Sequence, residues 1–342
     1  MKAEYTRMFQ EAAQAPSVVQ AQLDRNRAVV RRIAGRLQQI RPRFVITVAR
    51  GSSDHAACFA KYLVETKTGL FTVSAGPSIA SVYKRTMDFR DSVCLLISQS
   101  GASPDLLAMA EAARKGGSLV IAMVNVADSP LAGLADEVLE LHAGAETSVA
   151  ATKSFIASLA AIVQLVAAWK GDGELEAAIE EAPAGLQSSW ELDWSDALAP
   201  MSSSRDLYVL GRGVGLGVAY EAALKLKEVC GVHAEGFSSA EVLHGPVTIA
   251  QPDFPVLVLA QDDQAMPGIS QLVDDLAGRE VRLITAGVQH PAALNLPFVS
   301  AHPAVEPILR IQSFYRLANA LSVRLGLDPD SPPHLKKVTA TY

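Results

Sequence analysis

The runs FVITV (residues 44–48), VCLLI (93–97) and LVIAM (119–123) are apolar almost without interruption. A strand wetted on one face alternates polar and apolar residues, whereas a strand covered on both faces does not need to. These three therefore read as parallel strands buried on both sides. Stretches of helical period separate them, over residues 54–66, 104–115 and 152–170. Strand alternating with helix builds a parallel sheet through right-handed crossovers.

The series then returns. DLYVL, PVLVL and VRLIT begin at residues 206, 255 and 281, each 162 residues after its counterpart at 44, 93 and 119. Gly51 in ARGSS and Gly213 in GRGVG keep the same spacing. A constant offset across three strands marks two copies of one unit. The predicted organisation is α/β, with two tandem subdomains, each a parallel sheet flanked by helices in three αβα layers. A polar, Arg-rich helical arm (1–41) precedes the first subdomain (42–170). A linker with an acidic helix (171–204), the second subdomain (205–326) and a proline-rich tail (327–342) follow. The arm's Arg25, Arg27, Arg31, Arg32 and Arg36 are expected to form a solvated face.

The 342 residues are 49% apolar and 19% charged, enough for a large core and too little charge for a disordered chain. Thirty basic against 36 acidic residues give a net charge of −6, which argues against nucleic acid as a partner. Three cysteines, Cys58, Cys94 and Cys230, occur without a CxxC pair, so neither a disulfide framework nor structural zinc is expected. The longest apolar stretch, residues 155–169, falls short of a membrane span, and the first residues lack the apolar core of a signal peptide. The expectation is a cytoplasmic protein with no membrane partner, no metal and no cofactor.

Ligands of a parallel sheet bind beyond the carboxyl ends of its strands. After VCLLI comes SQSGASPD (98–105), which offers the hydroxyls of Ser98, Ser100 and Ser103, the Gln99 amide, a glycine for a tight turn, and Pro104 to open a helix. Backbone N–H groups and hydroxyls at a helix N-terminus make an anion site, and equally an ordinary capped turn. The matching stretch of the second copy reads AQDD (260–263), whose acids repel phosphate. Glu221, Lys225 and Glu228 share one face of a predicted helix. They read either as a surface ladder of charge pairs or, among Ala222, Ala223, Leu224, Leu226 and Val229, as a half-buried acid–base group. His244 stands before Gly-Pro in a turn, and Lys336 and Lys337 lie in the tail. Composition alone promotes none of these three.

Taken in order, ARGSSDHA (49–56), SQSGASPD, GAETSVAATKSF (144–155), LGRGVGLGVAYEAALKLKEV (210–229), VHAEGFSSAEVLHGP (232–246) and DPDSPPHLKKVT (328–339) resemble the sugar isomerase (SIS) family. Within it, the likeness is to the isomerase half of the glutamine–fructose-6-phosphate aminotransferases. The resemblance implies a fold of two SIS subdomains and a hexose or hexosamine 6-phosphate as ligand. It implies that Ser98, Gln99, Ser100 and Ser103 cradle the phosphate with Ser53 nearby, and that Val149 and Lys336 add substrate contacts. It further implies Glu228 as the base moving a proton between C1 and C2, Lys225 as its neighbour, His244 as the ring-opening group, and Lys337 as the amine that forms a Schiff base. A homodimer whose active site is shared, with His244 reaching across a two-fold interface, is implied as well. Three features depart from the pattern. The chain opens Met1-Lys2 rather than with the cysteine of a glutamine-hydrolysing domain, Ala102-Ser103 replaces Glu-Thr, and Ala151 replaces a serine.

The expected function is an aminosugar-phosphate isomerase and deaminase, converting glucosamine 6-phosphate to fructose 6-phosphate and ammonia. An aminotransferase-like isomerase or a fructosamine-phosphate deglycase is the near alternative. A non-catalytic phosphosugar sensor is the alternative of another class.

Overall fold

The computed structural model describes residues 2–337. In chain order its helices and strands are α1 (Arg7–Ala12), α2 (Ala15–Ile40), β1 (Phe44–Val48), α3 (Ser52–Thr68), β2 (Phe71–Ser74), α4 (Ser78–Ser81), β3 (Ser92–Ser98), α5 (Pro104–Lys115), β4 (Leu119–Val124), α6 (Pro130–Leu134), β5 (Glu137–Glu140) and α7 (Lys153–Lys170). There follow α8 (Gly173–Glu191), α9 (Leu198–Ser202), β6 (Asp206–Gly211), α10 (Leu216–Cys230), β7 (His233–Ser238), β8 (Pro255–Leu259), α11 (Met266–Ala277), β9 (Arg282–Ala286), β10 (Leu294–Asn295) and α12 (Glu306–Arg324).

The chain forms two compact units, and they are not consecutive stretches. One comprises Ser17–Glu146 and Ser154–Glu180; the other takes the residues up to Pro16, Thr147–Lys153 and Glu181–Lys337. The N-terminal segment and the 147–153 loop thus group with the second copy, although they precede it in sequence.

In the first unit five strands pair in parallel, in the order β2-β1-β3-β4-β5. The apolar runs are its centre: every residue of β3 and β4 is buried. Helix α7 is 18 residues long, and its length and composition meet the minimum for crossing a bilayer, so the expectation that this stretch is too short is corrected. It serves as a core helix, with 83% of it buried. The arginine-rich helix α2 keeps Arg25, Arg27, Arg31 and Arg32 exposed and Arg36 half-buried, the solvated face expected of them. Val19, Leu23, Val30, Ile33 and Leu37 of α2 are buried. Arg32 and Arg36 both close on the buried Glu137 of β5, at 2.8 and 3.1 Å, while Arg27 pairs with Glu180.

The second unit repeats the order, β7-β6-β8-β9-β10, again all parallel. The 162-residue offset holds for whole elements: β1 and β6 start 162 apart, β2 and β7 likewise, and α5 and α11 agree at both ends. Gly51 and Gly213, at the turn after the first strand of each copy, both have positive φ, 54° and 56°, which favours glycine there.

In each sheet the direction in which strands are added reverses between the first strand of the copy and the third, so the loops after those two strands flank a switch point. That is where ligands of open α/β sheets bind.

Candidate active site

In the first unit the switch point lies between β1 and β3. As β3 ends, the Gly101 N–H donates to Ser98 Oγ at 3.0 Å, which folds the chain back in a tight loop. Gly101 has φ of 61°, and a Cβ there would lie 2.2 Å from Ser129 Oγ, so only glycine fits. Ser103 then occupies the N-cap position of α5, yet its side chain makes no capping bond. The Ser103 hydroxyl is thus not spent on its own helix. Ser100, Gln99 and Ser103 are half-buried at the mouth of the helix N-terminus, and Ser98 is buried beneath them.

One residue that the sequence did not single out joins this group. Arg50, from the loop after β1, donates from Nε to Asp105 Oδ2 at 2.9 Å. Asp105 is buried while the arginine side chain is half exposed, so a cation is held against the start of α5. Both residues lie within the motifs quoted above; only folding brings their loops together. Ser53 sits in the first turn of α3, half-buried, with its N–H on the Arg50 carbonyl at 3.1 Å.

In the second unit the equivalent loop is filled by its own side chains. Gln261, the counterpart of Gln99, is buried and donates to the Arg212 carbonyl at 2.8 Å and to Asp263 at 2.9 Å. The Asp262 N–H is taken by Glu306 at 2.8 Å. With two acids and no free hydroxyl, this loop has no anion site.

The second unit carries a buried charged cluster instead. Glu221, Lys225 and Glu228 project from α10, where Gly231 ends the helix in the left-handed conformation. Glu221 and Lys225 are fully buried, so the surface ladder is excluded. Lys225 Nζ lies 3.3 Å from Glu221 Oε1 and in still closer contact with Glu228 Oε2. The Tyr315 hydroxyl donates to Glu221 Oε1 at 3.2 Å. Burial lowers the Lys225 pKa, but the Glu221 and Glu228 carboxylates outweigh it and leave the ammonium more firmly protonated than an ordinary lysine. Of the three, Glu228 alone reaches solvent, with 22% of its side chain exposed. A buried lysine therefore fixes a carboxylate whose other side is open, which is the arrangement a proton-transferring base requires.

His244 ends a short 3-10 turn, Glu241–His244, that follows β7, and it is exposed. Val149 is half-buried in the 147–150 loop, Lys336 is exposed and Lys337 half-buried. Val338 and Thr339, which close the terminal motif, lie outside the described residues. Burial pushes the three thiols up, Cys58 to about 11 and Cys94 and Cys230 to about 12, which leaves them without nucleophilic character at neutral pH. Among the described residues no group of three His, Cys, Asp or Glu side chains is placed to hold a metal ion. A cavity of about 330 Å³ in this unit is lined by Phe9, Trp194, Leu198 and Arg316, and by none of the residues singled out above.

The model of the SIS domain matches residues 40–168 and 201–285. A glutamine–fructose-6-phosphate aminotransferase of Zymomonas mobilis is 33% identical over 319 residues, covering 86% of this chain and 51% of that protein. The chain thus spans about half the length of the curated relatives it matches. Among solved structures, a candidate phosphosugar isomerase of Silicibacter pomeroyi superposes with a TM-score of 0.90 at 41% identity, over 95% of this chain and 100% of that one. A glucosamine-6-phosphate deaminase of Thermotoga maritima has the same fold, with a TM-score of 0.78 at 20% identity over 98% and 100% of the two chains.

Proposed function

The chain belongs to the SIS-domain family of phosphosugar isomerases, and from that premise we propose that it acts on aminosugar phosphates, converting glucosamine 6-phosphate and water to fructose 6-phosphate and ammonia. The observation that carries the reading is the pairing on α10: a buried, protonated Lys225 holding the half-open carboxylate of Glu228.

In the proposed sequence the sugar phosphate is held by Ser98, Gln99, Ser100 and Ser103, whose loop supplies hydroxyls at a helix N-terminus. Arg50 adds positive charge at the same helix start. His244 moves the proton that opens the pyranose ring. Glu228 takes the proton from C2 and returns it to C1, turning the amino aldehyde into a ketose imine, while Lys225 stabilises the carboxylate. The Lys337 amine attacks C2 and expels ammonia, and water then cleaves the Schiff base to release fructose 6-phosphate and the free lysine. Val149 and Lys336 line the sugar.

A homodimer is part of the proposal, with His244 of the partner subunit serving the site. In support, Leu243 and Ile249 beside His244 are large apolar residues with 48% and 59% of their surface exposed. Mixing inactive His244→Ala and Glu228→Gln chains should restore activity on subunit exchange; exchange without recovery excludes the shared site.

The likeness to the aminotransferases favours a second reading, an isomerase that runs toward aminosugar formation when supplied with ammonia. One panel separates the readings. The purified protein is incubated with glucosamine, fructosamine, glucose and fructose 6-phosphates, the last with and without ammonium, and ketose, aldose and ammonia are assayed. Ammonia and ketose from glucosamine 6-phosphate are expected. Tight binding without turnover of any member would make the protein a sensor.

A further inference from the structure

Asp330 lies in the tail, six residues before Lys336 and seven before Lys337. Each of its carboxylate oxygens accepts a backbone N–H from the first turn of α1, Oδ2 from Arg7 and Oδ1 from Met8, both at 2.8 Å. Its own carbonyl accepts the N–H of Val149 at 3.3 Å. A single residue thus grips α1 with its side chain and the 147–150 loop with its backbone.

Helix α1 reaches the same loop from its other end. Glu11 Oε1 accepts the N–H and the hydroxyl of Thr147, at 2.5 and 2.8 Å, and Oε2 accepts those of Ser148, at 3.1 and 2.6 Å. Burial by itself would raise the Glu11 pKa; the four donors outweigh it and hold it below the ordinary value. The helix is anchored in turn. Thr6 caps it by accepting from the Phe9 N–H at 3.2 Å, the Phe9 ring packs edge-on against Trp190, and Gln312 of α12 donates to the Ala12 carbonyl at 3.0 Å. Between Asp330 and the lysines stand Pro332 and Pro333, which stiffen the connection and carry the orientation of Asp330 forward.

Simple fastening of a terminus does not account for this geometry, since one apolar contact would fasten it. A buried carboxylate saturated by four donors fixes direction as well as attachment. The two segments it brings into register are those that carry Val149 and the two lysines.

We propose that Asp330 and Glu11 are positioning residues which, through α1, hold the Lys336–Lys337 tail and the Val149 loop in a single register. This rests on the reading of Lys337 as the amine only for its kinetic consequence; the mechanical coupling stands apart from it.

Two measurements on the full chain test the two parts separately. Hydrogen exchange followed by mass spectrometry should show Asp330→Ala speeding exchange about tenfold or more in both 331–337 and 147–150, and Glu11→Gln loosening the same pair from the other end. Exchange at 147–150 that stays parental when Asp330 is replaced overturns the proposal. In turnover of glucosamine 6-phosphate, Asp330→Ala should lower kcat about 100-fold, the scale of an ångström's misplacement, with KM near parental. Asp330→Asn keeps one acceptor and the carbonyl contact and should recover most of that loss. Parental kcat in Asp330→Ala overturns the positioning role. If the parent turns over no phosphosugar, and borohydride traps no ketose phosphate on Lys337, the reading of the amine fails, and the exchange result alone decides the coupling.

Discussion

The two copies share a frame and divide the chemistry placed on it. On α3 the residues 162 positions before Glu221, Lys225 and Glu228 are Phe59, Leu63 and Thr66. Phe59 and Leu63 are as deeply buried as the two charges they match, and Thr66 spends its hydroxyl on the Tyr62 carbonyl at 2.7 Å. The helix with the apolar face belongs to the copy whose loop keeps unspent hydroxyls. The helix with the charged cluster belongs to the copy whose loop is closed by Gln261 and Glu306. A duplicated scaffold does not need to repeat its sites. Burying a carboxylate–ammonium cluster is costly unless every charge is matched.

The contrast breaks most visibly at Glu228. Glu228→Gln keeps shape and hydrogen bonding but removes the base, so kcat should fall roughly 10²–10⁴-fold in the ammonia assay, while Thr66→Gln in the first copy leaves it near parental. Turnover at the parental rate in Glu228→Gln would mean that the second copy's helix is charged for some other reason.

Next in size is the stability of the cluster. Lys225→Leu, which installs the first copy's residue, strands two carboxylates and should cost about 3–5 kcal/mol in urea unfolding. Replacing all three residues by their counterparts, Glu221→Phe, Lys225→Leu and Glu228→Thr, should recover most of that loss while remaining inactive. A triple variant less stable than the single one would show that the two helices pack in different frames after all.

The loops give a smaller effect. Ser100→Ala with Ser103→Ala removes two hydrogen bonds to a charged ligand, worth about 1.5–3 kcal/mol each, so KM for a phosphosugar should rise at least about tenfold with little change in Tm. Ser100→Asp copies the acid found in the second loop and should abolish saturation altogether. Unaltered KM in both variants would remove the phosphate from this loop.

The smallest effect is a pH dependence confined to the unit that holds the second copy. The folded pKa of Glu11 is depressed below its ordinary 4.5, so its stabilisation is fully present above that value and is lost as pH falls through the folded one. The Tm gap between the parent and Glu11→Gln should be widest above pH 4.5 and close on acidification; a gap that widens instead would reverse the sign assigned to these hydrogen bonds.

Much of this architecture is legible before folding. Continuous apolar runs mark β1, β3, β4, β6, β8 and β9, because strands buried on both faces have no freedom to be polar, and the offset between the runs declares the duplication. The edge strands β2, β5 and β7 and the two-residue β10 escape the same reading. With one neighbour each they tolerate mixed sequences such as FTVS and EVLE, which carry no sharp period. The site divides along the same line. The order of motifs brings Ser98, Ser100, Ser103, Glu228 and Lys337 to attention, and helical spacing puts Glu221, Lys225 and Glu228 on one face.

Sequence by itself determined what local periodicity can encode: which segments are the buried central strands, that the series occurs twice, and which residues share a helix face. Only the tertiary structure decided whether that face is wet or buried, since the answer lies in Tyr315, 94 residues away, and in the helix that carries it. It also decided that Ser103 leaves its own helix uncapped and that Arg50 pairs with Asp105. The tail is fastened by Met8, 322 residues distant in the chain. Burial and hydrogen-bond satisfaction belong to whatever the folded chain packs against a residue, and no window of neighbouring residues contains that information.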